Sequence, residues 1–306
     1  MSKKIVFMGT PKFSVQILET LVNSDYEICC VYTQPPKKSF RGKKINASPV
    51  QKFAKNLNIE VRSPENLNDE KEFNYFKSTR PFIVVVVAYG KIIPKRYLEL
   101  SEKGFINIHA SLLPKLRGAA PIQRVIMNKE LESGISFMKI EEGLDVGPYM
   151  KQIKTRIDKT TTAKELNEKL SKIGAENILE CLNLIEKEKA IFIKQNNNEA
   201  TYAKKIEKSE SKITWSDLAE NILAKINGLN PYPGAWFKHE NIRYKIWKAE
   251  IADLSGNSGE IIDEKLIIAC KDKSIKILEI QKEGRNKLNI QDFIKGTKFS
   301  KGDKIT

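Results

Sequence analysis

Asn107 and His109 close the apolar segment Phe105-Ile-Asn-Ile-His109, and a loop rich in Pro and Gly follows at once. If the segment is a strand, a spacing of two points both side chains to one face. A carboxylate is offered further on by Asp145, within Glu141-Glu-Gly-Leu-Asp-Val-Gly-Pro148, a glycine-flanked loop placed to reach an imidazole. An amide donates hydrogen bonds, an imidazole moves protons, and a carboxylate accepts hydrogen bonds and protons. Each also has an ordinary explanation. A lone Asn is usually a turn or cap residue, a lone His a hydrogen-bonded core group, and an Asp between glycines a turn residue. Two such residues at one strand end argue for the chemical reading, because open α/β sheets bind ligands beyond the carboxyl ends of their strands.

Other chemistries find less support. Cys29, Cys30, Cys181 and Cys270 have neither the CxxC spacing of a metal site nor the density of a disulfide scaffold, and His109 and His239 are the only histidines, so no metal is expected. The turn Met8-Gly-Thr-Pro-Lys-Phe13 keeps only Gly9 of the G-x-G-x-x-G pattern that brings backbone against a pyrophosphate, which disfavours a nicotinamide cofactor.

These residues need a scaffold, and the chain supplies one. Residues 1–187 alternate apolar strands (Ile5–Met8, Ile28–Tyr32, 82–88, Phe105–His109, Gly134–Ile140, Tyr149–Thr155) with helical patterns, as in an open α/β sheet. Helices are expected after Phe13, from Ser48-Pro49 with Ser48 as N-cap, at Ala120–Met127, and from Thr162 to Ile185 with Leu166, Leu170, Ile173, Ile178, Leu182 and Ile185 inward. Residues 188–208, rich in Lys, Asn and Glu, read as a linker with a short strand near Ile191–Ile193. Residues 209–306 open with a helix (Ser216–Leu229). Short strands at Ile242–Trp247, Gly259–Ile262, Leu266–Cys270 and Ile275–Gln281 follow, in the rhythm of a β-barrel.

The net charge of +15 favours a polyanionic partner. It concentrates near the start: residues 1–65 hold eleven Lys or Arg against five Asp or Glu, and Lys37-Lys-Ser-Phe-Arg-Gly-Lys-Lys44 has five cations and no acid. A solvated charge run is the usual reading of such a segment. The longest apolar run, Pro81–Ala88, falls far short of the roughly 20 residues that span a bilayer, and Met1–Met8 lacks a secretory pattern, so a reducing cytoplasm without membrane contact is expected.

Several motifs together carry a resemblance. Gly9-Thr-Pro-x-Phe13, Val31-Tyr-Thr-Gln-Pro35, Arg41-Gly-Lys-Lys44, Ala88-Tyr-Gly90, Asn107-Ile-His-Ala-Ser-Leu-Leu-Pro114, Arg117-Gly-Ala-Ala-Pro-Ile-Gln123 and Gly143-Leu-Asp-x-Gly147 are similar, in order and spacing, to the methionyl-tRNA formyltransferase family. The second half is similar more loosely, through Ile213-x-Trp215, Asn230-Pro-x-Pro233 and Lys245–Ala249.

The resemblance implies an α/β fold: an open, mostly parallel Rossmann-like formyltransferase sheet (1–187), then a C-terminal OB-like β-barrel that binds tRNA (209–306). It implies formyl transfer from 10-formyltetrahydrofolate to methionyl initiator tRNA, by a cytoplasmic monomer without metal. Attack by an amine on the formyl carbon develops an oxyanion, and the attacking nitrogen, which titrates near about 7.7, must be neutral and then lose a proton. By resemblance, Asn107 and His109 stabilise the oxyanion, and Asp145 orients His109 or relays the proton. Ser111, Leu112, Leu113, Pro114 and the backbone of Ala88, Tyr89 and Gly90 hold the folate, and Arg41, Lys43 and Lys44 enter the acceptor stem.

Formyltransferases acting on an amino-sugar nucleotide or on glycinamide ribonucleotide would carry the same three site residues. The basic loop and the extra domain distinguish the tRNA enzyme from them. A hydrolase releasing formate is countered by Arg117–Gln123, and an inactive RNA-binding relative by the intact Asn107, His109 and Asp145.

Overall fold

The computed structural model describes residues 3–38, 45–297 and 299–306. They form two compact units. The first comprises Met1–Ala119, Ser133–Thr155 and Asn167–Ala203, and the second comprises Ala120–Glu132, Arg156–Leu166 and Lys204–Thr306.

The first unit is built on a seven-stranded sheet in the order Tyr149–Arg156, Glu132–Lys139, Phe105–His109, Ile83–Val87, Lys4–Gly9, Glu27–Tyr32, Val61–Arg62. The five strands from Phe105–His109 to Val61–Arg62 pair in parallel, and Glu132–Lys139 runs antiparallel to Phe105–His109. Ile83–Val87 consists wholly of β-branched residues and is buried throughout, as expected of a parallel strand covered on both faces. Its carboxyl end, like those of Lys4–Gly9 and Phe105–His109, lies at one edge of the sheet, and the candidate residues follow there.

The helices form where their spacing and caps require. Lys12–Val22 buries Phe13, Ile17, Leu18 and Leu21. Gly9 is small here because a Cβ would crowd the Phe7 ring and Ser14, whose Oγ donates to the Val87 carbonyl at 2.6 Å. Its role is therefore close packing of strand, turn and helix. Pro49–Asn56 begins with the Ser48 Oγ accepting from the Gln51 N–H at 2.9 Å. Ala163–Glu186 is preceded by a capping box between Thr162 and Glu165.

Residues 188–203, expected as part of a linker, pack into the first unit. Ile193 forms an isolated antiparallel bridge to Tyr149 where a short strand was expected. Tyr202–Ala203 pairs in parallel with Arg117–Gly118.

In the second unit Trp236–His239, Ile242–Ala252, Ser274–Lys282, Ile267–Ala269 and Ile261–Asp263 form an antiparallel sheet, with Leu288–Asn289 added to Ser274–Lys282. The chain's last residues bridge its two outer strands. Lys238 and Thr306 exchange backbone hydrogen bonds, the Ile261 N–H donates to the Asp303 carbonyl at 2.9 Å, and the Ile305 N–H donates to Gly259 at 2.9 Å. The sheet thus curls into a half-barrel around Trp215, Phe237, Tyr244, Phe293 and Phe299. The helix Ala219–Gly228 covers it with Ile222, Leu223 and Ile226.

Candidate active site

The strand Phe105–His109 lies between Ile83–Val87 and Glu132–Lys139, with Asn107 opposite Val86 and Met138, and His109 opposite Ser136. Asn107 is half-buried, and among the described residues its side-chain amide has no hydrogen-bond partner. His109 is 6% exposed. Its Nε2 lies 3.0 Å from the Leu116 carbonyl, which can only accept, so Nε2 carries the proton of the neutral ring. Nδ1 is then the acceptor nitrogen, and it faces the Asp145 Oδ2 at 3.7 Å.

Asp145 has φ +53°, in the left-handed region that Asp tolerates better than most residues. Its Oδ2 accepts the Gly118 N–H at 2.8 Å, so the carboxylate is tied to the loop that follows His109. The fold brings His109 and Asp145 together. Asn107 occupies the same face of the strand two residues upstream.

Ser136 organises the segment Ser111–Pro114. Fully buried, it donates from Oγ to the Ser111 carbonyl at 2.7 Å and accepts from the Leu113 N–H at 3.0 Å and from the Gln152 Nε2 at 2.9 Å. Gln152 also donates to the Leu113 carbonyl at 2.7 Å, and the Ser111 Oγ donates to Lys115 at 2.6 Å. Ser111 and Leu113 are buried, Leu112 and Pro114 half-buried, so the segment presents a fixed, partly apolar wall.

At the end of the neighbouring strand, Ala88 (φ +48°) and Gly90 (φ +77°) are exposed and flank Tyr89. The Tyr89 ring lies in the core, where burial pushes its phenol up and its hydroxyl has no hydrogen-bond partner among the described residues. The turn's backbone is held by the Gln34 Nε2, which donates to Tyr89 at 3.1 Å and to Gly90 at 2.9 Å, and by the Thr10 Oγ1, which donates to Tyr89 at 2.9 Å. A side chain in place of Gly90 would run into the Gln34 amide, and its positive φ also favours glycine. Beside the turn, Gln34, Pro35, Glu65, Gly90 and Lys91 line a cavity of about 330 Å³.

Arg41, Lys43 and Lys44 lie outside the described residues. On either side of them Lys37–Lys38 pairs antiparallel with Ile45–Asn46. Among the described residues no group of three or more His, Cys, Asp or Glu is arranged to hold a metal, and no helix is long and apolar enough to cross a membrane.

Four supporting residues escaped the sequence reading. Gln34 stands in the motif Val31–Pro35, where its place at a strand end was the available signal. Ser136, Gln152 and Gln195 stand in no motif, and only the fold brings them to the site.

The chain is similar to known proteins. Residues 3–182 match the family described as formyl transferase, and residues 205–298 match the formyl transferase C-terminal domain. A curated relative, the methionyl-tRNA formyltransferase of Pelagibacter ubique, is 53% identical over 100% of this chain and 99% of its own. An N-formyltransferase from Helicobacter canadensis, solved with folinic acid and dTDP-3-aminofucose, has a TM-score of 0.67 at 22% identity, covering 92% of this chain and 100% of its own. The methionyl-tRNA formyltransferase of Clostridium thermocellum has a TM-score of 0.59 at 18% identity, covering 82% and 94% respectively.

Proposed function

Because the chain belongs to the methionyl-tRNA formyltransferase family, we propose that it transfers the formyl group of 10-formyltetrahydrofolate to the α-amino group of methionyl initiator tRNA. The observation that carries the reading is the His109 ring. Its Nε2 is committed to the Leu116 carbonyl, and its Nδ1 faces the Asp145 carboxylate across a gap of 3.7 Å.

The folate, when bound, supplies an activated formyl carbon. Ser111, Leu112, Leu113 and Pro114 form one wall for it, stiffened by Ser136 and Gln152. Ala88, Tyr89 and Gly90 supply backbone at the next strand end. The fit rests on the buried lock beneath the first segment and the exposed turn of the second.

Asn107, whose amide engages none of the described residues, donates to the formyl oxygen as negative charge develops there. His109 takes up the amine's proton at Nδ1 and gives it to the departing folate nitrogen as that nitrogen's bond to the formyl carbon breaks, leaving tetrahydrofolate and the formylated amine. Asp145 stabilises the resulting imidazolium and fixes the ring. A neutral His109 turns a lone pair toward a carboxylate, so the pair gains its attraction once a proton arrives between them.

Arg41, Lys43 and Lys44 contact acceptor-stem phosphates, and the barrel of residues 209–306 covers a further part of the tRNA. The protein acts as a monomer in the cytoplasm.

Incubating the chain with 10-formyltetrahydrofolate and methionyl initiator or elongator tRNA tests this reading. Expected is a mass increase of one formyl group on the initiator only. An unmodified initiator excludes the function.

A further inference from the structure

Gln195 belongs to the stretch read from sequence as a linker, yet it is only 5% exposed and uses its whole side-chain amide. The oxygen accepts from the Arg117 Nε at 3.0 Å and Nη2 at 2.7 Å. The nitrogen donates to the backbone carbonyls of Asp145 at 2.9 Å and Gly147 at 2.7 Å. Its orientation follows from these partners. A guanidinium only donates and a carbonyl only accepts, so the oxygen must face Arg117 and the nitrogen the Asp145 loop.

Arg117 is 2% exposed and has no carboxylate partner among the described residues; its remaining hydrogen bond goes from Nη2 to the Asn197 Oδ1 at 2.9 Å. Burying a cation without a counter-ion is unfavourable, and a glutamate at position 195 would neutralise it. A glutamate, however, has nothing to donate to the two loop carbonyls. The loop needs holding, since Asp145 sits in a left-handed conformation that surroundings must enforce.

We propose that Gln195 is a positioning residue for formyl transfer: it grips the Asp145 backbone, with Arg117 fixing the amide, so that the carboxylate stays at the His109 Nδ1. The proposal rests on the role given to Asp145 above.

Gln195→Glu separates this role from a merely structural one. It gives Arg117 an ion pair but sets oxygen against oxygen at the loop. Expected are a thermal midpoint equal to or above the parent's, an unchanged folate KM, and a kcat lowered by about 10²-fold, as a displacement near 1 Å can cause. In an Asp145→Asn background the same change lowers kcat by less than about threefold, because residues acting as a unit do not add.

Parental kcat in Gln195→Glu overturns the proposal, and so does an equal loss in both backgrounds. If Gln195→Glu does not fold, the double variant Arg117→Met, Gln195→Met replaces the polar pair with apolar chains of similar length and must give the same contrast. A parent chain that formylates no tRNA sinks the functional reading and this role with it. An active parent with an insensitive variant sinks only the positioning role.

Discussion

The His109 Nδ1 faces the Asp145 Oδ2 at 3.7 Å, beyond hydrogen-bond reach, while the same oxygen accepts the Gly118 N–H at 2.8 Å. One carboxylate is thus anchored by backbone and turned toward the ring's Nδ1. A proton arriving between ring and carboxylate would add attraction to the pair. In the proposed mechanism the pair acts in the transition state, where a charged imidazolium replaces a neutral ring.

Asp145→Asn tests that role. The amide retains an oxygen for the Gly118 N–H, so the loop keeps its anchor, but the negative charge is gone. We expect kcat to fall by about 10²–10⁴-fold, the range seen when an orienting carboxylate or an oxyanion donor is removed. Folate KM should hold. Parental turnover in steady-state assays would remove Asp145 from the mechanism.

Asn107→Ala asks a different question. Its amide engages no described residue, so truncation breaks no internal hydrogen bond and stability should fall by only about 1 kcal/mol, the ordinary cost of a point substitution. Turnover should fall by about 10²–10³-fold if the amide meets the developing oxyanion. A large drop in melting temperature with unaltered kcat would instead assign Asn107 to packing.

Much of this scaffold is legible in the sequence, for identifiable reasons. Ile83–Val87 announces itself by β-branching, and Ala163–Glu186 by an apolar stripe within a residue or two of the expected ends. The helix Glu70–Thr79 does not. Its buried face includes Glu72, made tolerable by hydrogen bonds from Tyr32 at 2.6 Å and from Arg62 at 2.7 Å, and those partners lie elsewhere in the chain. The expected helix at Ser216 begins at Ala219, where the Asp272 Oδ1 accepts the first free N–H at 2.9 Å. Asn107, His109 and Asp145 stand out by type and loop context. Ser136, Gln152 and Gln195 act through long-range hydrogen bonds that leave no local pattern.

Ser136→Ala should expose that hidden layer. The hydroxyl is fully buried and satisfies the Leu113 N–H, the Ser111 carbonyl and Gln152. Its removal leaves buried groups unpaired, at about 1–3 kcal/mol for each group that finds no substitute. Urea unfolding should report the loss, and folate KM should rise as the Ser111–Pro114 wall loosens. An unchanged KM would detach that wall from folate binding.

Replacing Arg41, Lys43 and Lys44 by Gln tests the polyanion reading of the basic segment. Each lost phosphate contact should lower the slope of log KM for tRNA against log salt by about 1. Raised tRNA KM at low salt with an unaltered folate KM is expected. Identical salt slopes in parent and variant would mark the segment as an ordinary solvated surface.

In the second unit, Glu210 receives a two-pronged hydrogen bond from Arg124, Nη1 to Oε2 at 2.6 Å and Nη2 to Oε1 at 2.9 Å. This partner holds the carboxyl below its ordinary value near 4.5, with burial opposing in part. A carboxyl depressed on folding adds stability that is fully present above the unfolded value and disappears as pH falls through the folded one. The parent should therefore exceed Glu210→Gln in stability at pH 7, and the difference should shrink below about pH 4.5 as Glu210 takes up its proton. Urea midpoints measured from pH 7 to pH 3 decide the matter. A difference that stays constant across that span would show that packing around position 210, and not the ion pair, holds Arg124 in place.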